Sequence, residues 1–346
     1  MSICYAIEAP RQGVQRKWAR GSRRRGRSRE KTAGVAHCSG RPGRLRLPGR
    51  GRGARIRDRL FFYRVFLYLI PMSTRVLCIG EVVGKAGAYC IKKLLPEIKE
   101  EEKIDFVIAN TEGVTGGFGI GKNHSIYMRK LGIDCQTLGE KGYYKKDMVD
   151  HIVKAPYILR PANYPPGNPG RGWRIYDCGD KKIGVISMLG QSGFNRVHLS
   201  NPFLYTPELA AKLKQETDII ILDFHAATTA EKYTMFHLMD GKLSAVVGTH
   251  TKAQTADEQV LPGGTAVICD TGRTGSIESV GGLDPEIEIQ KFLTQVPDRS
   301  KDYWKKPELQ GVIIEINDDG SAASISRIKK ECEEMNNDRE SESNSG

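Results

Sequence analysis

Short apolar runs alternate with longer stretches whose apolar residues recur at helical spacing, from residue 75 almost to the C-terminus. Residues 75–79 read as a buried strand, and residues 85–101 carry apolar positions three and four apart, the period of one helix face. Further strands are predicted at 105–109 and 134–138, with helices at 125–131 and 145–153. The second half repeats the pattern, with strands at 182–188, 218–222, 243–247 and 265–269 and helices at 207–215 and 229–239. Runs at 311–316 and 322–328, joined by Asn317-Asp-Asp-Gly320, predict a closing hairpin. The fold class that follows is α/β: one domain over residues 72–328, a two-sheet sandwich flanked by helices. The stretch from Arg160 to Gly172, rich in proline and glycine, fits neither period, and long ordered loops of this kind tend to carry function.

Charge changes the picture at one end only. The formal net charge of +12 suggests a nucleic-acid binder until it is located. Residues 1–71 hold 19 of the 53 Lys and Arg but 3 of the 41 acids, so the rest of the chain carries a net charge of −4. Residues 1–59 have almost no hydrophobic periodicity, and the basic segment 1–71 is expected to be disordered. It reads either as an arginine-rich RNA-binding arm or, preferably, as an upstream extension outside the native protein, because Met72 opens directly into a core strand. Residues 60–70 are apolar but interrupted by Arg64, well short of the roughly 18 residues of a membrane span, so no membrane partner is expected. The polar residues 329–346 are expected to form a disordered tail. Eight cysteines without a paired C-x-x-C spacing, two of them (Cys78 and Cys269) inside apolar runs, suit a reducing cytoplasm.

The candidate chemistry lies where the predicted strands end, which is where α/β sheets keep their sites. Glu81 follows the first strand, Glu112 the second and Glu140 the third, while His225 and His250 follow two strands of the second half. A lone loop glutamate is commonly just solvated. Five oxygen and nitrogen donors at five strand ends favour a metal site of the Zn, Mn or Fe kind. Gly116-Gly-Phe-Gly-Ile-Gly-Lys122-Asn123 nearly matches a phosphate-binding P-loop, but Asn123 stands where a hydroxyl should hold magnesium, so a glycine-rich active-site loop is the better reading. His124, His151, His198 and His237 have no comparable placement.

Gly80-Glu-Val-Val-Gly84, Ile108-Ala-Asn-Thr-Glu112, Thr137-Leu-Gly139, Leu159-Arg-Pro-Ala-Asn-Tyr-Pro-Pro-Gly167, Asp223-Phe-His-Ala226, Gly248-Thr-His-Thr251 and Gln254-Thr-Ala-Asp-Glu258 resemble bacterial calcineurin-like metallophosphoesterases that hydrolyse 2′,3′-cyclic nucleotides and other phosphodiesters. The resemblance covers residues 72–328 and implies a two-sheet fold with a dinuclear metal centre. The family's first Asp falls at Glu81, its Glu at Glu112 and the following Asn at Gly113. Its Asn-His pair falls at Glu140 and Lys141, the next His at His225, and the last His-x-His at His250 and Lys252. One ion would therefore have Glu81 and Lys252, and a lysine ammonium offers no lone pair. The other keeps four potential ligands in Glu112, Glu140, His225 and His250. The resemblance thus implies one divalent transition metal (Fe, Mn or Zn), a vestigial second position at Glu81 and Lys252, Lys141 at the catalytic general-acid position, and Lys141 with Lys252 as phosphate-binding cations. Lys141 would serve as an acid near neutrality only if burial lowered its pKa. Two functions are consistent with this set: a phosphodiester hydrolase of the cyclic-nucleotide type with a mononuclear site and reduced or altered activity, or a catalytically inactive nucleotide- or phosphate-binding regulator. An RNA partner and a homo-oligomer stay open.

Overall fold

In the first half the chain forms β1 (Thr74–Ile79), β2 (Glu81–Val82), α1 (Gly84–Glu101), β3 (Phe106–Asn110), α2 (Lys122–Lys130), β4 (Cys135–Thr137), α3 (Lys146–Ile152) and β5 (Ile158–Leu159). It then builds β6 (Trp173–Cys178), β7 (Lys181–Leu189), α4 (Pro202–Leu213), β8 (Ile219–His225), α5 (Thr229–Met239), β9 (Ala245–Thr249), β10 (Gln259–Val260) and β11 (Ala266–Ile268). It closes with β12 (Arg273–Ser276), α6 (Pro285–Thr294), β13 (Pro307–Ile316) and β14 (Ala322–Glu331). This computed structural model describes residues 73–194 and 199–333, all within the unit Arg59–Gly346. The expectations for residues 1–71, and for the tail beyond 333, lie outside the described residues.

The first sheet has the order β2-β12-β13-β1-β3-β4-β5, with β14 also pairing β13. Strands β1, β3, β4 and β5 are parallel, and β13 runs antiparallel to β1 from Thr74 opposite Ile316 to Ile79 opposite Gly311. The second sheet has the order β10-β11-β9-β8-β7-β6, parallel at its centre and antiparallel at both edges. Val76, Cys78, Ile108, Val312 and Ile314 of the first sheet pack on Val185, Ile219, Ile221, Val247 and Ile268 of the second. The opposite faces pack on helices, Leu77 and Ile79 against Ile91, Leu95 and Ile98 of α1, and Ile220, Leu222 and Phe224 against Met235, Phe236 and Met239 of α5. Strands covered on both faces read as continuous apolar runs, which is why the sequence announced them. Each fully buried Leu or Ile contributes about 2 kcal/mol. The two-sheet sandwich with outer helices is thus the observed architecture.

Several elements depart from the sequence pattern. Helix α4 starts at Pro202, earlier than predicted, because Asn201 caps it by accepting from the Phe203 N–H at 2.9 Å. Strand β14 reaches Glu331, three residues into the segment assigned to the tail, since Glu331, Lys330 and Lys329 pair with Glu308, Leu309 and Gln310. Its outer residues are polar, so no hydrophobic pattern marked them. The edge strand β6, the short strands β2, β10 and β12, and helix α6 escaped prediction. Helix α6 buries only Glu288 and leaves Ile289, Phe292 and Leu293 exposed. Among the described residues no helix is long and apolar enough to cross a membrane.

Candidate metal centre

The ends of β3, β4, β8 and β9, with β2, bring the predicted residues to one edge of the sandwich. Ligand atoms of Glu140, His225 and His250 all lie within 4.8 Å of one another. His225 Nε2 stands 2.9 Å from Glu140 Oε2, 3.1 Å from His250 Nδ1 and 3.3 Å from Glu112 Oε1. Glu112 is fully buried and adjoins this trio, with its other oxygen turned to main-chain donors: Oε2 accepts from Gly139 N–H at 2.6 Å and Lys141 N–H at 3.2 Å. The approach is close enough to require glycine at 139, because a Cβ there would stand 2.5 Å from His225 Nε2 and 2.6 Å from Glu112 Oε2.

The orientation of His225 is set from behind. Its Nδ1 lies 2.9 Å from Thr249 Oγ1, which donates to Asp223 Oδ1 at 2.7 Å. Asp223 is buried and takes further hydrogen bonds from Thr137 Oγ1 and from Asn110 Nδ2 at 3.5 Å. Occupying Nδ1 in this way leaves Nε2 facing the cluster, the arrangement that holds a ligand imidazole in one tautomer. Phe194 walls the other side, its ring centroid 5.0 Å from that of His250.

Two ammoniums complete the centre. Lys141 Nζ lies 3.4 Å from Glu112 Oε1 and 3.3 Å from Glu140 Oε1, and Lys252 Nζ lies 3.0 Å from Glu81 Oε1. The last contact is Coulombic and poorly aligned, since neither buried oxygen of Glu81 has a hydrogen-bond partner among the described residues. Burial opposes the charge on Glu81, Glu112, Glu140, Lys141, His225 and His250, and its balance against the neighbouring charges differs from group to group. At His225 burial is outweighed by Glu112 and Glu140, which raise it to about 10. At His250 burial and the neighbouring His225 lower the imidazole to about 4. Burial pushes Glu81 up against the pull of Lys252, whereas at Glu112 and Glu140 it is overcome chiefly by His225, which holds both carboxylates down. At Lys141 burial is likewise overcome, by Glu112, Glu81 and Glu140, and its pKa rises. That direction is opposite to the one a general acid near neutrality needs.

Residues 77–328 match the model of the YmdB-like proteins. The chain belongs to the YmdB-like family. It is 39% identical over 255 residues, covering 73% of this chain and 96% of the relative, to the 2′,3′-cyclic-nucleotide 2′-phosphodiesterase of Bacillus subtilis (strain 168). A crystal structure described as a novel phosphatase, from Mycoplasma pneumoniae, superposes with a TM-score of 0.72 at 29% identity, covering 76% of this chain and 95% of that one. A hypothetical protein of Thermus thermophilus gives a TM-score of 0.70 at 30% identity, covering 75% of this chain and 99% of that one. The fold is therefore that of the metallophosphoesterases, as the motifs implied.

Within this YmdB-like centre the sequence located the charged groups but missed what holds them. Asp223 and Thr249 sit beside the two histidines in their motifs, and that adjacency was the available signal. Glu81 lies in strand β2 opposite Arg273, although the pattern placed it in a loop. His250 and Lys252 adopt positive φ, 110° and 60°, conformations that cost a non-glycine residue about 1–3 kcal/mol each and persist only where the surroundings enforce them.

Proposed function

We propose that this chain is a metal-dependent phosphodiester hydrolase of the cyclic-nucleotide type, working with one ion and two fixed ammoniums. The observation that carries the proposal is the set Glu140, His225 and His250, gathered within 4.8 Å beside Glu112, with His225 Nε2 turned inward. These nitrogen and oxygen donors suit Zn, Mn or Fe and would hold one such ion. The family's second position does not fit an ion, because the Lys252 ammonium stands 3.0 Å from Glu81 there. When bound, a divalent ion would act as a Lewis acid towards a phosphoryl oxygen.

The chain's own residues do the rest. The carboxylates of Glu112 and Glu140 face Lys141 and His225, and Glu81 faces Lys252. Held by these residues, a divalent ion would add the positive charge that a phosphodiester monoanion requires beside it. Lys141 and Lys252 then neutralise the phosphate as positioned charges. Asp223 and Thr249 orient His225, and Phe194 excludes water from its flank.

A second reading, a nucleotide- or phosphate-binding regulator without turnover, draws on Lys141: an ammonium held between two carboxylates is a poor proton donor to a leaving group. Elemental analysis of the purified protein, with turnover of 2′,3′-cyclic AMP and of bis(p-nitrophenyl) phosphate, separates the two. One ion per chain with turnover supports the hydrolase. Saturable binding of the cyclic nucleotide without turnover supports the regulator.

A further inference from the structure

Segment Asp270-Thr271-Gly272-Arg273, on leaving β11, touches both partners of the Lys252 and Glu81 pair. Asp270 Oδ2 accepts from Thr251 N–H at 2.8 Å, Thr271 N–H donates to Gly248 O at 3.0 Å, and Arg273 Nη1 donates to Lys252 O at 2.9 Å. The same segment fixes Glu81, whose N–H donates to Gly272 O at 3.0 Å, with Glu81 and Arg273 opposite each other in the β2 and β12 pairing. The segment is anchored in turn, since Lys232 Nζ, 1% exposed, lies 3.2 Å from Asp270 Oδ2.

Arg273 spends its guanidinium on main chain. Nε donates to Ser276 O at 2.8 Å and Nη2 to Ile277 O at 2.7 Å, so all three nitrogens hold carbonyls. One of those carbonyls belongs to Lys252, which has φ 60° and would relax from it if released. A planar fork can serve three carbonyls at once, and a lysine ammonium at 273 could not reproduce that geometry.

We propose that Arg273 is a positioning residue that makes Lys252 a fixed cation for a phosphate anion, by pinning the Lys252 carbonyl to β12, the strand paired with the β2 strand that carries Glu81. The inference rests on the reading of Lys252 as a phosphate-binding group. It adds that the binding strength of this group is set by a residue that never touches the ligand.

The test uses the full chain and needs no turnover. Lys252 and Lys141 are equally shielded, their side chains 15% and 14% exposed, so Lys141 serves as an internal control. Acetic anhydride labelling of each lysine is followed by peptide mass spectrometry, and inorganic phosphate binding by calorimetry. In Arg273→Met, Lys252 should label about ten times faster with Lys141 unchanged, and phosphate affinity should fall about 10-fold, within the range that small misplacements of charged groups produce. Lys252→Met should lose the same factor, and the double variant no more, because both changes remove one interaction. Arg273→Lys serves the same comparison where Arg273→Met does not give a cooperative melt. Unchanged Lys252 labelling, equal acceleration of Lys141, or a further loss of phosphate binding in the double variant would overturn the assignment. An unaltered chain that hydrolyses no phosphodiester would sink the proposed hydrolase, while the labelling still decides the role of Arg273.

Discussion

Gly139→Ala is the smallest change that should disable the centre. The new methyl would stand 2.5 Å from His225 Nε2 and 2.6 Å from Glu112 Oε2, about 1 Å inside ordinary contact. His225 cannot retreat without breaking its 2.9 Å contact with Thr249 and leaving the Asp223 relay. Moving the loop away instead carries Glu140 and Lys141 with it and stretches the 2.6 Å bond from Gly139 N–H to Glu112. Either way one ligand shifts by something like 1 Å, and an equivalent disturbance around a metal ligand typically costs 10- to 100-fold in affinity. Overpacking of this kind destabilises by about 1–3 kcal/mol, and each kcal/mol lowers the melting temperature of a domain this size by about 2–4 °C, so the fold survives. Titration of the metal-free chain with Zn or Mn by calorimetry, beside a thermal melt, measures both. Undiminished affinity in a cooperatively folded Gly139→Ala chain would refute the placement of His225 and Glu112 at the ion.

Three further substitutions probe the surroundings. Lys232→Met strands a buried Asp270 carboxylate and should cost about 3–5 kcal/mol in chemical denaturation, most of it regained by adding Asp270→Asn; an unchanged midpoint in the single variant would contradict this. Lys252→His restores a donor and removes a charge beside Glu81, so elemental analysis should find a second ion per chain, and a persistent single ion would count against the vacated-ligand account. Gly113→Asn places a Cβ 2.6 Å from Glu81 Oε1 and 2.9 Å from Val82 O; it should lower stability by about 1–3 kcal/mol and be relieved by Glu81→Asp, and equal melting losses in both backgrounds would show that Glu81 is not the obstacle.

What the sequence disclosed follows from burial. Strands such as β3 and β8, covered on both faces, consist of apolar residues alone up to their functional ends, and those ends carried Glu112 and His225 into view. Edge strand β6 and the two-residue β2 have no such signature, because pairing partners rather than side chains define them. The charged groups of the centre were legible by type, but the protonation of Lys141 was not: it depends on three carboxylates delivered from separate strands, and one-dimensional spacing cannot say whether burial or those charges win. Arg273 was invisible for a related reason. Its partners are carbonyls, which every residue has.

Strand β13 enters the first sheet beside β1, and Ser73 Oγ donates to Glu315 Oε1 at 2.6 Å across 242 residues of chain. Synthesis proceeds from the N-terminus, so β1 waits through nearly the whole of translation with one edge unpaired. An open edge is a template for association with another chain. A nascent polypeptide stopped before residue 307 would already contain Glu81, Glu112, Glu140, His225, His250 and Lys252, but its first sheet would lack the strand that joins β1 to β12. The strand order therefore makes the last part of the chain a condition for seating Glu81, since β2 reaches β1 only through β12 and β13.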